Sequence, residues 1–111
     1  MSEILAVTSG AEGRYAKALF SIASENKNLK KIESDLLNLK NLITSSGIFK
    51  NFLFSPMYNS SQQQEIILQI SKKLKLTDEV KNILYLLCKN RRLNILINLI
   101  KSFEALSRME R

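Results

Sequence analysis

The chain has 111 residues, a length that suits one compact domain and leaves no room for a second domain of full size. Apolar residues make up 45% of it and there are only three glycines and one proline, a balance that favours packed helices over a disordered chain or a turn-rich sheet. Having no histidine and a single cysteine, the sequence excludes an internal disulfide and the commonest kind of zinc site.

Charge and hydropathy narrow the class further. No apolar run approaches the roughly 18 residues that a membrane-spanning helix needs, and the first ten residues lack the features of a targeting segment. We therefore expect no membrane insertion and a bacterial cytoplasmic location. The net charge of +7 comes from 12 lysines and five arginines spread through every predicted helix, which is more typical of a solvated surface than of a nucleic-acid site.

Two helices are predicted at the start of the chain. Ser9 and Glu12 have the spacing of a capping box, and the helix that begins there runs to about Glu25. Its apolar residues cover an arc of roughly 200°, about twice the minimal stripe of a surface helix, so we expect it to contact neighbours on two sides. After a polar joint, apolar residues spaced three and four apart predict an amphipathic helix from Leu29 to Ile43.

The middle of the chain predicts a short helix and a longer one. A break at 45–47 precedes an aromatic-rich helix over 48–54, which Pro56 ends because the residue before a proline avoids the α region. Ser61 and Gln64 then have the spacing of a second capping box. The expected core residues of these two helices are Phe49, Phe52 and Leu53, and Ile66, Ile67, Ile70 and Leu74.

Two further helices complete the predicted bundle. Thr77 is a predicted N-cap followed by two acidic residues, and it opens a helix over 78–90. A polar stretch at 89–92 precedes the last helix, Leu93 to Leu106, in which Ile95 and Leu99 are expected to point away from the core. The expected core residues of these two helices are Val80, Ile83, Leu84, Leu87 and Cys88, and Leu93, Leu96, Ile100 and Phe103. Six helices with short joints predict an all-α, antiparallel six-helix bundle.

The sequence offers no catalytic constellation. It has no glycine-rich phosphate loop, no histidine and no spaced pair of carboxylates in an apolar setting, so we expect neither an enzyme, a cofactor nor a metal. Cys88 lies inside an apolar run and is expected to pack rather than react. The pair Arg91 and Arg92 could cap the preceding helix or meet an acidic partner.

Two short strings resemble a known family. Residues 13–20, GRYAKALF, are similar to the opening helix of ATP synthase delta subunits and of their mitochondrial counterpart, the oligomycin-sensitivity-conferring protein. Residues 90–93, NRRL, are similar to a turn that this family carries between two apolar helices. The polar joint after the first helix, the break before Pro56 and the late Phe103 agree with the same pattern, so the resemblance covers essentially the whole chain.

The resemblance implies a non-catalytic adaptor that holds the catalytic head of the synthase against rotor torque. In that family, the first and fifth helices form an apolar groove for the N-terminal helix of an alpha subunit. Here the first helix has the wide apolar arc described above, and in the fifth helix Tyr85 and Leu86 lie on either flank of the core stripe, so both arcs are too wide for bundle packing alone. The implied partner-binding residues are Tyr15, Ala18, Leu19, Ile22, Ile83, Leu86, Leu87 and Asn90. For Leu19 and Leu87 an ordinary core position is an equal alternative.

The resemblance also implies a domain layout and a location. Residues 1–106 would form the N-terminal helix-bundle domain, and 107–111 would start a linker or tail. The second domain of the family, which contacts the peripheral stalk b subunit, has no counterpart here, so the chain is either a fragment or a shortened protein. The implied location is the cytoplasmic face of a bacterial inner membrane, without membrane insertion.

Two other functions stay open at this stage. An unrelated helical protein-interaction module differs from the adaptor only in lacking the two strings. A basic nucleic-acid-binding bundle would gather its lysines on one face and bind with a steep salt dependence, whereas the sequence scatters them.

Overall fold

The computed structural model describes residues 10–110, and within that range the chain is helical with no strand. The elements are α1 (Gly10–Glu25), α2 (Leu29–Ser45), α3 (Gly47–Phe54), α4 (Ser60–Leu74), α5 (Asp78–Lys89), a 3₁₀ turn (Leu93–Ile95) and α6 (Leu96–Glu110). The predicted all-α six-helix bundle is confirmed over this range. The first predicted capping box rests on Ser9, which lies outside the described residues.

The capping box that opens α4 lies two residues earlier than the sequence pattern suggested. The Gln62 backbone N–H donates to Asn59 Oδ1 at 2.8 Å, and the Asn59 backbone N–H donates to the Gln62 side chain at 2.9 Å. The predicted box of Ser61 and Gln64 is therefore wrong. Asn59 and Gln62 have the same spacing, and asparagine caps a helix at least as well as serine.

Hydroxyl caps open α3 and α5. Ser46 Oγ accepts a hydrogen bond from the Phe49 backbone N–H at 3.2 Å, so α2 runs on to Ser45 and the joint before α3 is a single residue. Thr77 Oγ1 accepts from the Val80 backbone N–H at 3.4 Å and opens α5, as predicted.

Helices α1, α4 and α5 all end in the same way. A residue in the left-handed region follows each helix, with φ of 53° at Lys27, 54° at Lys75 and 57° at Arg91. The next backbone N–H then bonds to the carbonyl five residues earlier, which is the long hydrogen bond of a Schellman motif. These bonds are Asn28 to Ala23 at 2.9 Å, Leu76 to Ser71 at 3.0 Å and Arg92 to Leu87 at 2.8 Å. The polar joints of the sequence are thus helix stop signals made without glycine.

Helix α6 packs against at least three other elements. It packs most extensively against α1 and also touches α2 and the 3₁₀ turn. The Phe103 ring is buried and meets Phe20 of α1 edge to face, with centroids 5.6 Å apart. The helix continues past the predicted end at Leu106 to Glu110, and Ser107 is buried and donates a hydrogen bond to the Glu33 carboxylate of α2.

The core positions predicted for α3, α5 and the last helix are buried, and Cys88 is among them. The orientation predicted for Leu99 is wrong, because this side chain is fully buried. It lies three residues after Leu96 on the same face of α6, and that face is covered by both α1 and α2. The accessible residues of α1 and α5 are described below.

Helix α4 buries a narrower face than the sequence predicted. Ile67 is fully buried, and Gln63 and Ser71, four residues before and after it, are buried as well. Ile66, Ile70 and Leu74 were expected in the core but are only half-buried. The reason is that α4 packs mainly against α5, which leaves its other apolar side open.

One charged group lies in the core and joins α2 to the start of α5. The Asp35 side chain is fully buried, and its Oδ2 accepts a hydrogen bond from the Thr77 backbone N–H at 2.7 Å. Lys31 Nζ lies 3.8 Å from the other carboxylate oxygen. Because Thr77 is the N-cap of α5, this bond fixes where α5 begins relative to α2.

Candidate helix-binding groove

Helices α1 and α5 lie side by side in opposite directions, and a hydrogen bond joins them at each end. Asn90 Nδ2 donates to the Tyr15 hydroxyl at 2.8 Å, and Asn26 Nδ2 donates to the Glu79 carboxylate at 2.9 Å. The two bonds lie eleven residues apart along each helix, which corresponds to about 16 Å at 1.5 Å per residue. This span is the length of three turns of a third helix.

A groove of about 500 Å³ lies between these two bonds. Its apolar lining consists of Ala18, Leu19 and Ile22 from α1 and Ile83 and Leu86 from α5. Leu19 and Ile83 are nearly covered and form the floor, whereas Ile22 and Leu86 are each 41% exposed and form opposite walls. Ala18 is exposed between them and contributes only a methyl group, so a ligand can approach the α1 backbone closely.

The structure brings together seven of the eight residues that the resemblance implied. Five of them line the groove. Tyr15 and Asn90 do not line it but form the hydrogen bond that closes one end. Leu87 is fully buried and faces the core, so it packs inside the bundle and is inaccessible to a ligand.

The local sequence explains why α1 leaves a wall uncovered. Ala16, Leu19 and Ala23 are buried and form the face that packs on the bundle. Ile22 lies three residues after Leu19 and one before Ala23, at the edge of that face, and no helix among residues 10–110 covers it fully. The wide apolar arc predicted for α1 is therefore real, and its outer part lines the groove.

The opposite end of the groove is polar and acidic, a feature that the sequence analysis missed. Its lining there is Asn26, Asp78, Glu79 and Asn82. The hydrogen bond from Asn26, followed by the backbone N–H of Glu79 and by Asn28, lowers the pKa of the Glu79 carboxyl below its ordinary value of 4.5. Asp78 is paired with Lys81 at 3.1 Å. Glu79 thus keeps its negative charge at the rim, where it suits a basic residue of a ligand.

The sequence carried a signal for this acidic end. Asp78 and Glu79 follow the N-cap Thr77 and were interpreted only as first-turn acids that complement the helix dipole. Because α1 runs opposite to α5, the first turn of α5 meets the last turn of α1, and the acids therefore border the groove. A prediction that α1 and α5 run in opposite directions would have placed Asp78 and Glu79 at this end of the groove.

A second apolar groove, of about 570 Å³, lies beside α3 and was not predicted. It is bounded by the end of α2, by α3 and by α4. The half-buried Ile66, Ile70 and Leu74 line it, so the residues assigned to the core by their spacing instead form one wall of this groove. No groove residue of the α1–α5 site is shared with it.

Arg91 takes a role that the sequence alternatives did not include. Its guanidinium donates to Gln63 Oε1 at 3.1 Å and to the Tyr58 carbonyl at 2.8 Å. Both partners lie at or just before the start of α4, so the side chain ties the joint after α5 to α4. The guanidinium therefore does not cap the α5 carbonyls, and its hydrogen bonds are to residues of this chain.

The described residues hold no arrangement that suggests metal chemistry, because no three His, Cys, Asp or Glu side chains among residues 10–110 lie close enough to share an ion. Cys88 is fully buried, and burial raises the pKa of its thiol to about 11. None of the helices between residues 10 and 110 is long and apolar enough to cross a membrane.

Comparison with known proteins identifies relatives along almost the whole chain. The family model for the ATP synthase delta (OSCP) subunit matches residues 11–111. The ATP synthase subunit delta of Dinoroseobacter shibae is 35% identical over 106 residues, which cover 96% of this chain and 57% of that protein. That of Ruegeria pomeroyi is 33% identical over 100 residues, covering 90% of this chain and 54% of that protein.

A solved structure shares the fold. A chain in the cryo-EM structure of the Toxoplasma gondii mitochondrial ATP synthase hexamer superposes with a TM-score of 0.81 at 32% identity, over 86% of this chain and 53% of that one. The present chain spans about half the length of the curated relatives it matches.

Proposed function

The chain belongs to the ATP synthase delta (OSCP) subunit family, and we propose on this basis that it is a non-catalytic adaptor of the peripheral stalk. Its groove between α1 and α5 would hold the N-terminal helix of an alpha subunit. By gripping the catalytic head in this way, it would help to keep the head from turning with the rotor during proton-driven ATP synthesis.

The observation that carries the proposal is the pair of uncovered walls. Ile22 and Leu86 are each 41% exposed on facing sides of one groove, and binding of an amphipathic helix in a groove requires such an accessible apolar stripe. The span of about three helical turns between the end bonds fits ligand anchors at positions i, i+4, i+7 and i+11. Large side chains at those positions would contact both walls.

The remaining groove residues would set the position of the bound helix. Ala18 lets the ligand backbone approach, and the Tyr15–Asn90 bond blocks one end. At the other end, Glu79 would attract a basic side chain of the ligand. Apolar burial would supply most of the binding free energy, and the charge would contribute mainly to orientation and association rate.

The finer parts of the assignment follow from the family. The adaptor would sit on the cytoplasmic face of a bacterial inner membrane as part of a membrane-attached complex. Contact with the peripheral stalk b subunit would involve family residues other than these 111. The function requires no chemistry in the chain itself, which is consistent with the described side chains acting as caps, ion pairs and core.

Calorimetric titration with a synthetic peptide from the alpha subunit N-terminus of the same organism tests the groove. Leu86→Asp is expected to abolish measurable heat, because it places a charge on a wall that the peptide must cover. Leu37→Asp is the matched control: Leu37 is 51% exposed on α2 and lines neither groove, so this variant should bind like the parent chain. Equal loss in both variants, or no heat from the folded parent chain, would contradict the proposal.

A further inference from the structure

Two amide side chains from the joint between α1 and α2 hold the acidic end of the α1–α5 groove. Asn26 Nδ2 and Asn28 Nδ2 both donate to Glu79 Oε2, at 2.9 and 3.1 Å. Because both bonds are made to one oxygen, neither amide occupies Oε1, and the carboxylate is oriented while one of its oxygens is left for a ligand. A carboxylate held in this way can accept a hydrogen bond from a basic side chain without first being reoriented.

Asn28 makes this contact in place of capping its own helix. It occupies the N-cap position of α2, where an asparagine side chain ordinarily accepts a hydrogen bond from a backbone N–H of the first turn. The Asn28 side chain makes no such bond. The start of α2 therefore lacks a stabilising interaction that its own residue could supply, and the amide holds α5 instead.

Asp35, further along α2, also holds the start of α5 in a way that stability alone does not explain. Its Oδ2 accepts from the Thr77 backbone N–H at 2.7 Å, whereas its Oδ1 is buried and accepts no hydrogen bond within the described part of the chain. The side chain of Lys31, 3.8 Å away, is 56% exposed and offsets the buried charge only weakly. A half-satisfied buried carboxylate adds little stability, because desolvation of the charge opposes its attractions.

The contacts of Asp35 and Asn28 meet at one turn of helix. Thr77, which Asp35 holds, is followed directly by Asp78 and Glu79, so a shift of this N-cap would move both acids. No residue of α2 lines the groove, yet α2 and its N-cap fix the acidic end of it. Local departures from the most stable arrangement that converge on one place are typical of functional positions.

We infer that Asp35 and Asn28 are positioning residues of the α1–α5 groove, which hold the first turn of α5 so that Glu79 meets a basic side chain of the bound helix. The inference rests on the proposed function for its ligand, and it adds a specificity-determining element that lies outside the groove lining. A partner helix with a lysine or arginine at this end is favoured, whereas one with an acidic residue there is repelled.

A pH titration of the folded full chain, with the Glu79 side-chain carboxyl followed by NMR, tests the positioning without any ligand. The hydrogen bond from Asn26, followed by the backbone N–H of Glu79 and by Asn28, lowers the pKa of this carboxyl below 4.5. Asn28→Ala and Asp35→Ala should therefore each raise the pKa of Glu79 toward 4.5. Loss of the negative charge of Asp35 would by itself lower that pKa, because a like charge is removed. A rise in Asp35→Ala therefore reports lost hydrogen bonds.

Two control variants separate positioning from a general loss of stability. Asp35→Asn keeps an acceptor for the Thr77 backbone N–H, so the pKa of Glu79 should not rise in this variant. Ile43→Val removes one methylene from the core on the same helix and lowers stability without touching α5 contacts of Asp35, so it should leave the pKa of Glu79 unchanged. No rise in Asp35→Ala, or an equal rise in Ile43→Val, would overturn the positioning role.

Calorimetry with the alpha subunit N-terminal peptide tests the effect on binding. Asp35→Ala should raise Kd about two- to fivefold, the range that a surface ion pair corresponds to, and should make Kd less dependent on salt, whereas Ile43→Val should change neither. An Asp35→Ala chain that binds like the parent, with the same salt dependence, would refute the link to ligand recognition. If the folded parent chain does not bind the peptide, the proposed function fails, and the titration of Glu79 still decides the positioning role.

Discussion

The double substitution Ile22→Ala with Leu86→Ala provides a quantitative test of the proposed binding of an alpha-subunit helix in the α1–α5 groove. Each side chain is 41% exposed in the free domain, so a bound helix can remove at most that fraction from water. Because burying a whole Leu or Ile side chain contributes about 1.5–3 kcal/mol, each exposed part contributes roughly 0.6–1.2 kcal/mol to binding. The double variant should therefore lose about 1.2–2.4 kcal/mol, which raises Kd roughly 8- to 60-fold.

Calorimetry with the alpha subunit N-terminal peptide measures this change. The single variants should each raise Kd by about 3- to 7-fold, and urea unfolding run in parallel checks that all variants are folded at the titration temperature. Leu37→Ala on α2 is the control, and its Kd should match that of the parent chain. A double variant that binds within twofold of the parent would refute the idea that these walls carry the affinity.

Three further outcomes follow from buried or paired groups. Asp35→Ala should lower the free energy of unfolding by about 1.5–3 kcal/mol in urea titrations, because the partly buried Thr77 N–H loses its acceptor. Asp35→Asn should lower it less, and equal losses would contradict this role. The depressed pKa of Glu79 means that its carboxylate stabilises the fold above pH 4.5 and that this contribution disappears as the pH falls through the folded pKa. Glu79→Gln should therefore weaken the pH dependence of Tm measured between about pH 3 and 5. Cys88 should resist thiol reagents at pH 8 until denaturant is added, because its side chain is buried and its pKa is raised. Rapid labelling of the folded protein would contradict the burial of this side chain.

The elements that the sequence predicted well are those decided by neighbours along the chain. Thr77 with two following acids fixes the start of α5, and the apolar spacing of α5 fixes its buried face. The choice between Ser61 and Asn59 as the cap of α4 could not be made in this way, since both have a glutamine three residues later. Only the position of α4 in the bundle decides it.

The errors concern side chains whose surroundings are set by distant helices. Leu99 was assigned outward because periodicity cannot show that α6 has neighbours on two sides. The opposite error occurred at Ile70, where the period predicts burial but none of the described helices covers that side of α4. An open apolar groove and a core stripe have the same sequence pattern, which is why the second groove was missed.

The first groove was anticipated better because two signals agreed. The apolar arc of α1 was too wide for one packed face, and the family resemblance supplied the neighbouring helix. These signals pointed to Ala18 and Leu86, which line the groove in the structure, but could not separate them from the buried Leu87, since residues 86 and 87 differ by only 100° around the helix. The acidic end depends on the relative direction of α1 and α5, which no local pattern contains.

The hydrogen bonds at the two ends of the α1–α5 groove have a consequence for binding entropy. Tyr15 with Asn90 and Asn26 with Glu79 hold the two helices at a set separation before any ligand arrives. The domain is therefore preorganised, and most of the ordering cost of association falls on the peptide, which must become helical. Alanine substitutions on the solvent side of that peptide, which touch nothing in the groove, should then strengthen binding in proportion to the helix content they add.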